Sequence, residues 1–277
     1  MDEFVSVFLA LVVETVPFLL AGVVIAQGGS PLFERALTWG VFRAPAAAAA
    51  AGVGAGMLFP MCDCGSRPLA HRLCARGFRE GGIAFLVAAP VINPVVIVTT
   101  WLAFREVELV VLRLATVFVV AMAAVLVLRL VRGEVVVPGG EGANGHGGSF
   151  ADRVLGEFFE LFAYLVVGCA LAAAIQVFVD REALTSSPGI YVSIGALMVL
   201  AFLLSICSSV DAFVAAGLGG ALGTGPILAF LAFGPVMNLK SVPLYLRLFR
   251  PATVVVLAVV ATEIVFGAAV VAELRGW

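Results

Sequence analysis

The chain has 277 residues, 62% of them hydrophobic and 12% charged, with a net charge of −2 and a mean hydropathy of +1.15. A soluble domain carries roughly 25% charged residues, so this composition excludes a water-soluble enzyme with a polar shell. The missing basic excess excludes a nucleic-acid partner.

At roughly 20 apolar residues per membrane span, the chain has room for about eight. Met1-Asp2-Glu3 is acidic, and the apolar run from Phe4 to Ala26 is too long for the core of a secretory signal, so 4–26 is predicted to be a retained first span. Residues 31–43 carry Glu34, Arg35, Trp39 and Arg43, which suits a stretch at the membrane interface. Further spans are predicted over 44–60, 81–104, 107–131, 154–179, 189–207, 225–246 and 252–273. Within the second, Gly52-Val53-Gly54-Ala55-Gly56 permits close helix packing. It neither follows a strand nor forms a phosphate loop.

The linker 132–152, with Pro138-Gly139-Gly140 and Asn144-Gly145-His146-Gly147-Gly148, predicts a flexible boundary between a half over 1–131 and a half over 153–277. His146 reads as a solvated loop residue. The fold class is therefore all-α: a polytopic membrane protein of two related halves.

A register of 145 residues relates those halves: Cys62 to Cys207, Phe85 to Phe230, Pro90 to Pro235 and Asn93 to Asn238. One residue out of register, Glu14 and Gly22 match Glu160 and Gly168. Repeats in transporters commonly enclose a substrate site built from helices that break near the midplane. Pro90, Pro94, Gly234 and Pro235 predict such breaks, each beside an asparagine, Asn93 or Asn238.

Arginines 35, 43, 105, 181, 247 and 250 fall on one side of an eight-span layout, and 67, 72, 76, 79, 132, 153 and 275 on the other. This near-even division leaves orientation open and predicts that some cysteine or proline segments re-enter the membrane.

Chemistry concentrates in Cys62-Asp63-Cys64, where two thiols flank a carboxylate. Thiolates select soft or borderline ions and metalloids, and the spacing is too tight for a structural zinc finger. The counterpart is Cys207-Ser208-Ser209-Val210-Asp211. Cys62, Cys64 and Cys207 are the candidates for binding a soft substrate transiently, with Asp63, Ser208 and Asp211 beside them. Cys74 and Cys169 read as buried structural thiols.

Charges inside spans are costly and point to function. Glu14, Glu160 and Glu263 are candidate coupling carboxylates. Lys240, the only lysine in the chain, follows Asn238 by two residues and could neutralise a carboxylate or an anionic substrate. No Walker A sequence is present, so energy would come from an ion gradient or a downhill substrate.

These motifs together, C-x-C-G-x-x-P, P-x-x-N-P, C-S-S-x-D-A and G-P-x-x-N-L-K, resemble the predicted bacterial permease family that includes organoarsenical efflux permeases of the ArsP type. The resemblance covers nearly the whole chain. It implies an inner-membrane, multi-pass permease of about eight spans in two four-span halves around cysteine-bearing segments. It places Cys62, Cys64, Cys207, Asp211 and Lys240 on motif positions, while Asn238 stands where many members have Asp.

The leading expectation is a secondary permease, not an enzyme, exporting a soft metal or metalloid such as a trivalent organoarsenical. It would need no cofactor, and its surroundings would be membrane lipid with a homo-oligomeric or accessory soluble partner. A zinc-type permease is the alternative within that class. A thiol–disulfide electron carrier using Cys62 and Cys207 is the alternative outside it.

Overall fold

A computed structural model describes residues 2–28, 44–58, 61–131, 135–136, 149–178, 189–218 and 222–276. The interfacial stretch 31–43, Phe59-Pro60 and most of the 132–152 linker, His146 included, lie outside the described residues. Among the described residues the secondary structure is helical. The helices are α1 (Asp2–Gly28), α2 (Pro45–Leu58), α3 (Asp63–Ala75), α4 (Arg79–Ala88), α5 (Pro94–Phe104), α6 (Val107–Val131), α7 (Phe150–Phe178), α8 (Ile190–Leu204), α9 (Asp211–Gly217), α10 (Thr224–Phe233), α11 (Val242–Leu248) and α12 (Pro251–Arg275), with a 3-10 turn at Leu239–Ser241 ahead of α11.

Among the described residues four helices, α1, α6, α7 and α12, are long and apolar enough to cross a membrane. At 1.5 Å per residue their 24 to 28 apolar residues reach about 36–42 Å, more than the roughly 30 Å of a hydrocarbon core. The helices α2, α5, α8 and α10 are apolar but have only 10 to 15 residues.

The predicted span 81–104 is two helices, because Pro90 and Pro94 interrupt it. α4 ends at Ala88, and α5 restarts at Pro94 with the Asn93 side chain accepting from the Val96 amide at 2.9 Å. The predicted span 225–246 divides likewise: α10 ends at Phe233, Gly234 and Pro235 form the break, and the 3-10 turn and α11 follow. Proline at the first helical positions costs nothing, since that amide has no intrahelical acceptor.

Burial runs opposite to that of a soluble protein. Val13, Leu58, Leu130, Val167 and Leu274 are exposed, whereas Arg67, Arg113, Asn238 and Lys240 are fully buried. A hydrocarbon solvent dictates this order: apolar surface faces lipid at no cost, and polar groups must find partners inside.

The order of helix lengths recurs along the chain. A long helix (α1, α7), a medium one (α2, α8), a short one (α3, α9), a broken pair (α4–α5, α10–α11) and a second long one (α6, α12) follow each other twice. α1 packs on α7 and α6 on α12, so equivalent long helices meet. Gly52 sits against the Gly81 backbone and Gly56 against Ala89, which brings α2 and α4 close.

Candidate functional site

The centre of the molecule is built on α3, a helix of 13 residues with Asp63 through Cys74 all buried. The cysteine triplet opens it. Cys62 is the N-cap in extended conformation and makes no side-chain cap bond, while Asp63 occupies the first turn. A carboxylate there meets the positive end of the helix dipole. The ligand atoms of Cys62, Asp63 and Cys64 lie within 4.8 Å of one another.

Asp63 is held from the C-terminal part of the chain. Its Oδ2 accepts from Asn238 Nδ2 at 2.7 Å, from Ser241 Oγ at 3.0 Å and, along its own helix, from Arg67 Nη2 at 3.4 Å. Both break asparagines therefore touch the cysteine segment, since Asn93 Nδ2 donates to the Met61 carbonyl at 3.4 Å. Arg67 is flanked on its other side by the Tyr245 ring, 4.3 Å from centroid to guanidinium carbon. The Tyr245 hydroxyl donates to the Val236 carbonyl at 2.9 Å, tying α11 to the break before it. Tyr245→Phe keeps the ring and removes that bond, and is expected to lower stability by about 1 kcal/mol. Thermal melting in detergent checks this. A loss as large as that of Tyr245→Leu would mean that the ring contributes nothing.

Cys207 approaches from the loop after α8. The Cys62 thiol interacts with those of Cys207 and Cys64. Lys240 lies in the electrostatic field of Asp63, Cys64, Glu14 and Cys207. Its backbone amide donates to Ser205 Oγ at 3.2 Å. All five cysteines are free and buried. Cys74 lies away from this centre, with its thiol near the Arg79 carbonyl. Cys169, read from sequence as a buried structural thiol, is buried, interacts with Thr15 and is within the electrostatic reach of Lys240 and Cys64.

Hydrogen-bonding capacity is left over at this centre. Asp63 Oδ1, Arg67 Nε and Nη1, Ser208 Oγ, Asn238 Oδ1 and Lys240 Nζ are buried without a partner. Each unmet buried polar group costs about 1–3 kcal/mol. Such a cluster is a place where a ligand's polar atoms have something to gain.

The other candidates lie elsewhere. Asp211, the first residue of α9, is paired with Arg113 of α6 at 2.5 Å. Glu160 is paired with Arg247 on α11. Glu263 lines a shallow groove between α6 and α12 together with Thr116 and Gly267. Glu14 is half-buried on α1.

Several buried charges were not among the sequence candidates. Arg67 and Arg72, counted from sequence as loop charges, are inside α3. Arg72 pairs with Glu157 of α7 at 2.6 Å, and Gln27 donates to the same oxygen at 2.6 Å. Arg113 and Glu157 both lie in predicted spans, so the rule that flagged Glu14 applies to them equally. Ser241 and Tyr245 carry no such signal.

An apolar exterior around a buried centre of thiols and charges, with broken helices beside it, is that of a multi-pass membrane protein. The chain matches the family described as "Predicted permease", the ArsP type, over residues 1–274, and belongs to it. It is thus a multi-pass bacterial membrane permease.

Among curated relatives, it is 31% identical over 267 residues to "UPF0718 protein YcgR" of Bacillus subtilis (strain 168), covering 88% of each chain. It is 29% identical over 264 residues to a Streptococcus mutans protein named "Putative two-component membrane permease complex subunit", covering 88% of this chain and 86% of that one. No solved structure matches.

Proposed function

We propose that this chain is a secondary permease that exports a soft metal or metalloid species, with Cys62, Cys64 and Cys207 binding it transiently. The observation that carries this reading is the Cys62–Asp63–Cys64 cluster within 4.8 Å, met by the Cys207 thiol from the other half of the chain. Thiol sulfur selects soft ions. The unmet groups around it, an ammonium on Lys240 and oxygens on Asp63, Asn238 and Ser208, favour a substrate that also carries oxygen, such as a hydroxylated trivalent organoarsenical. A bare zinc ion would bring charge but nothing for Lys240.

In this reading the halves 1–131 and 153–277 rock about the breaks at Pro90–Pro94 and Gly234–Pro235 to expose the thiols alternately. As each As–S bond forms, an As–OH bond breaks and the thiol proton leaves with that hydroxide as water; water reverses the exchange on release, so the thiol chemistry itself consumes and releases no net proton. A second subunit fits the same reading, since the Streptococcus mutans relative is named "Putative two-component membrane permease complex subunit".

The test is accumulation in cells lacking their own resistance transporters, with zinc, arsenite and a trivalent methylarsenical as the panel. Wild type is expected to lower accumulation of the methylarsenical, and Cys62→Ser/Cys207→Ser to lose the effect. Equal accumulation of all three species in both strains would discard the soft-substrate reading.

The contact between the Cys62 and Cys207 thiols also favours a second reading, a thiol–disulfide carrier. That reading requires a Cys62–Cys207 disulfide in the purified protein, opened by dithiothreitol. A count of five free thiols without reductant discards it.

A further inference from the structure

We infer that Asp211, through Oδ2, is one half of a clasp with Arg113 that holds Cys207 against Cys62. Arg113 lies within the apolar helix α6 and is buried, and its Nη2 donates to Asp211 Oδ2 at 2.5 Å. Its Nη1 donates to Thr100 Oγ1 on α5 at 2.6 Å, and Thr100 Oγ1 in turn donates to the Val96 carbonyl at 2.7 Å. The guanidinium thus joins the segment after the first break to the start of α9. α9 packs against α5, on the other side of the linker in sequence.

Asp211 transmits this hold to the thiol. Its amide donates to the Cys207 carbonyl at 3.0 Å, so one turn of backbone separates the clasped carboxylate from the sulfur-bearing residue. Between them Ser208 is buried, and the loop leaves α8 through Ser205 at φ 52°. The loop is held at both ends: at Ser205, whose Oγ accepts from the Lys240 amide at 3.2 Å, and at Asp211, whose Oδ2 accepts from Arg113.

The same device operates on the other cysteine segment. Asp63 is the first residue of α3 as Asp211 is of α9, and its partners across the linker are Asn238, which caps the second break's 3-10 turn, and Ser241, the last residue of that turn. Each short helix is fixed at its first residue by groups from the opposite part of the chain. The thiols of Cys62 and Cys207 meet because both clasps are closed. Opening the Arg113–Asp211 clasp withdraws Cys207 and leaves Cys62 and Cys64 to hold or release the substrate alone. Arg113 is accordingly a positioning residue.

This rests on the reading of Cys62 and Cys207 as working thiols, and its test reads their positions without substrate. In membranes holding the full chain with Cys64→Ser and Cys169→Ala, the rate of disulfide formation between Cys62 and Cys207 on adding diamide is followed by mass spectrometry. Cys74 labelling by a maleimide serves as the control for general loosening. Arg113→Ala is expected to slow the cross-link about tenfold or more, because a buried ion pair biases strongly any position it holds. Arg113→Lys should give an intermediate rate, and the exchange Arg113→Asp/Asp211→Arg should recover most of the loss, with Cys74 labelling unchanged.

A wild-type cross-linking rate in Arg113→Ala overturns the clasp. If that variant does not accumulate, Arg113→Lys and Thr100→Val decide: a slowed cross-link supports the clasp and an unchanged one overturns it. Should the cross-link slow while methylarsenical accumulation stays at the wild-type level, the clasp stands and the thiol reading of transport falls.

Discussion

Replacing Asp63 with alanine is expected to cost more stability than any other single change at the centre, about 3–5 kcal/mol, because it strips a buried carboxylate from two buried cations. Lys240 and Arg67 are both fully buried, and Asp63 is the carboxylate of their immediate surroundings, accepting from Arg67, Asn238 and Ser241 on a single oxygen. Removing it leaves the guanidinium against the Tyr245 face and leaves Glu14 as the remaining carboxylate whose field reaches the ammonium. A melting transition lowered by on the order of 10 °C is the expected size.

The companion variant separates charge from packing. Asp63→Asn keeps the shape and one acceptor oxygen but not the charge, so it should still lose most of that stability. Combining it with Lys240→Met removes one cation together with the anion and should recover more than half, since residues sharing one network do not add. Thermal unfolding of detergent-purified protein, followed by the fraction remaining monodisperse, measures all four proteins. If Asp63→Ala melts within about 0.5 kcal/mol of wild type, the carboxylate is not what holds the two cations in place.

How much of this centre the sequence disclosed depends on the kind of residue. Cys62, Asp63, Cys64 and Cys207 were legible because thiols and a carboxylate in apolar surroundings are rare, and the 145-residue register tied the two cysteine segments together. The breaks were legible because proline leaves few choices to a helix. Asn238 and Lys240 stand at a break, and the structure places both against the Cys62–Cys64 segment.

What stayed hidden was the length and depth of α3. The even division of arginines predicts a cysteine segment that re-enters the membrane, but not that Asp63 through Cys74 form a buried helix whose Arg67 and Arg72 are matched by Asp63, Tyr245 and Glu157 rather than by water. Partners so far apart in the chain cannot be paired from one sequence. Asp211 shows the same limit from the other side. It stands out in the sequence as a charge near an apolar run, but its partner Arg113, in an otherwise apolar helix, is not indicated there. An intramembrane charge says that a partner exists, not which one.

Gly168→Ala is expected to displace the lysine-bearing turn, although it adds one methyl group. A Cβ at Gly168 on α7 would run into the backbone carbonyl of Lys240, and at Gly22 on α1 into the backbone of Gly65. In each case the obstacle is main chain, which cannot rotate aside as a side chain can. Lys240 follows Asn238 by two residues, and Gly65 follows Asp63 by two, so either methyl group pushes on one arm of the Asp63–Asn238 bond.

Overpacking of this kind costs about 1–3 kcal/mol, but the larger effect is geometric. A shift of the turn separates Lys240 and Asn238 from Asp63 and alters the setting of the thiols. The same helix supplies the control, because a Cβ at Gly156 meets nothing within 4 Å. Gly156→Ala should therefore be neutral or stabilising by about 0.5–1 kcal/mol through helix propensity. Melting temperature and methylarsenical accumulation, measured on Gly168→Ala, Gly22→Ala and Gly156→Ala together, distinguish a general dislike of larger residues from a specific contact. Equal behaviour of Gly168→Ala and Gly156→Ala would mean that α7 yields freely. The contrast expected here would mean that the two matched glycines of the repeat are there to let a long helix carry a charged, irregular segment at backbone distance.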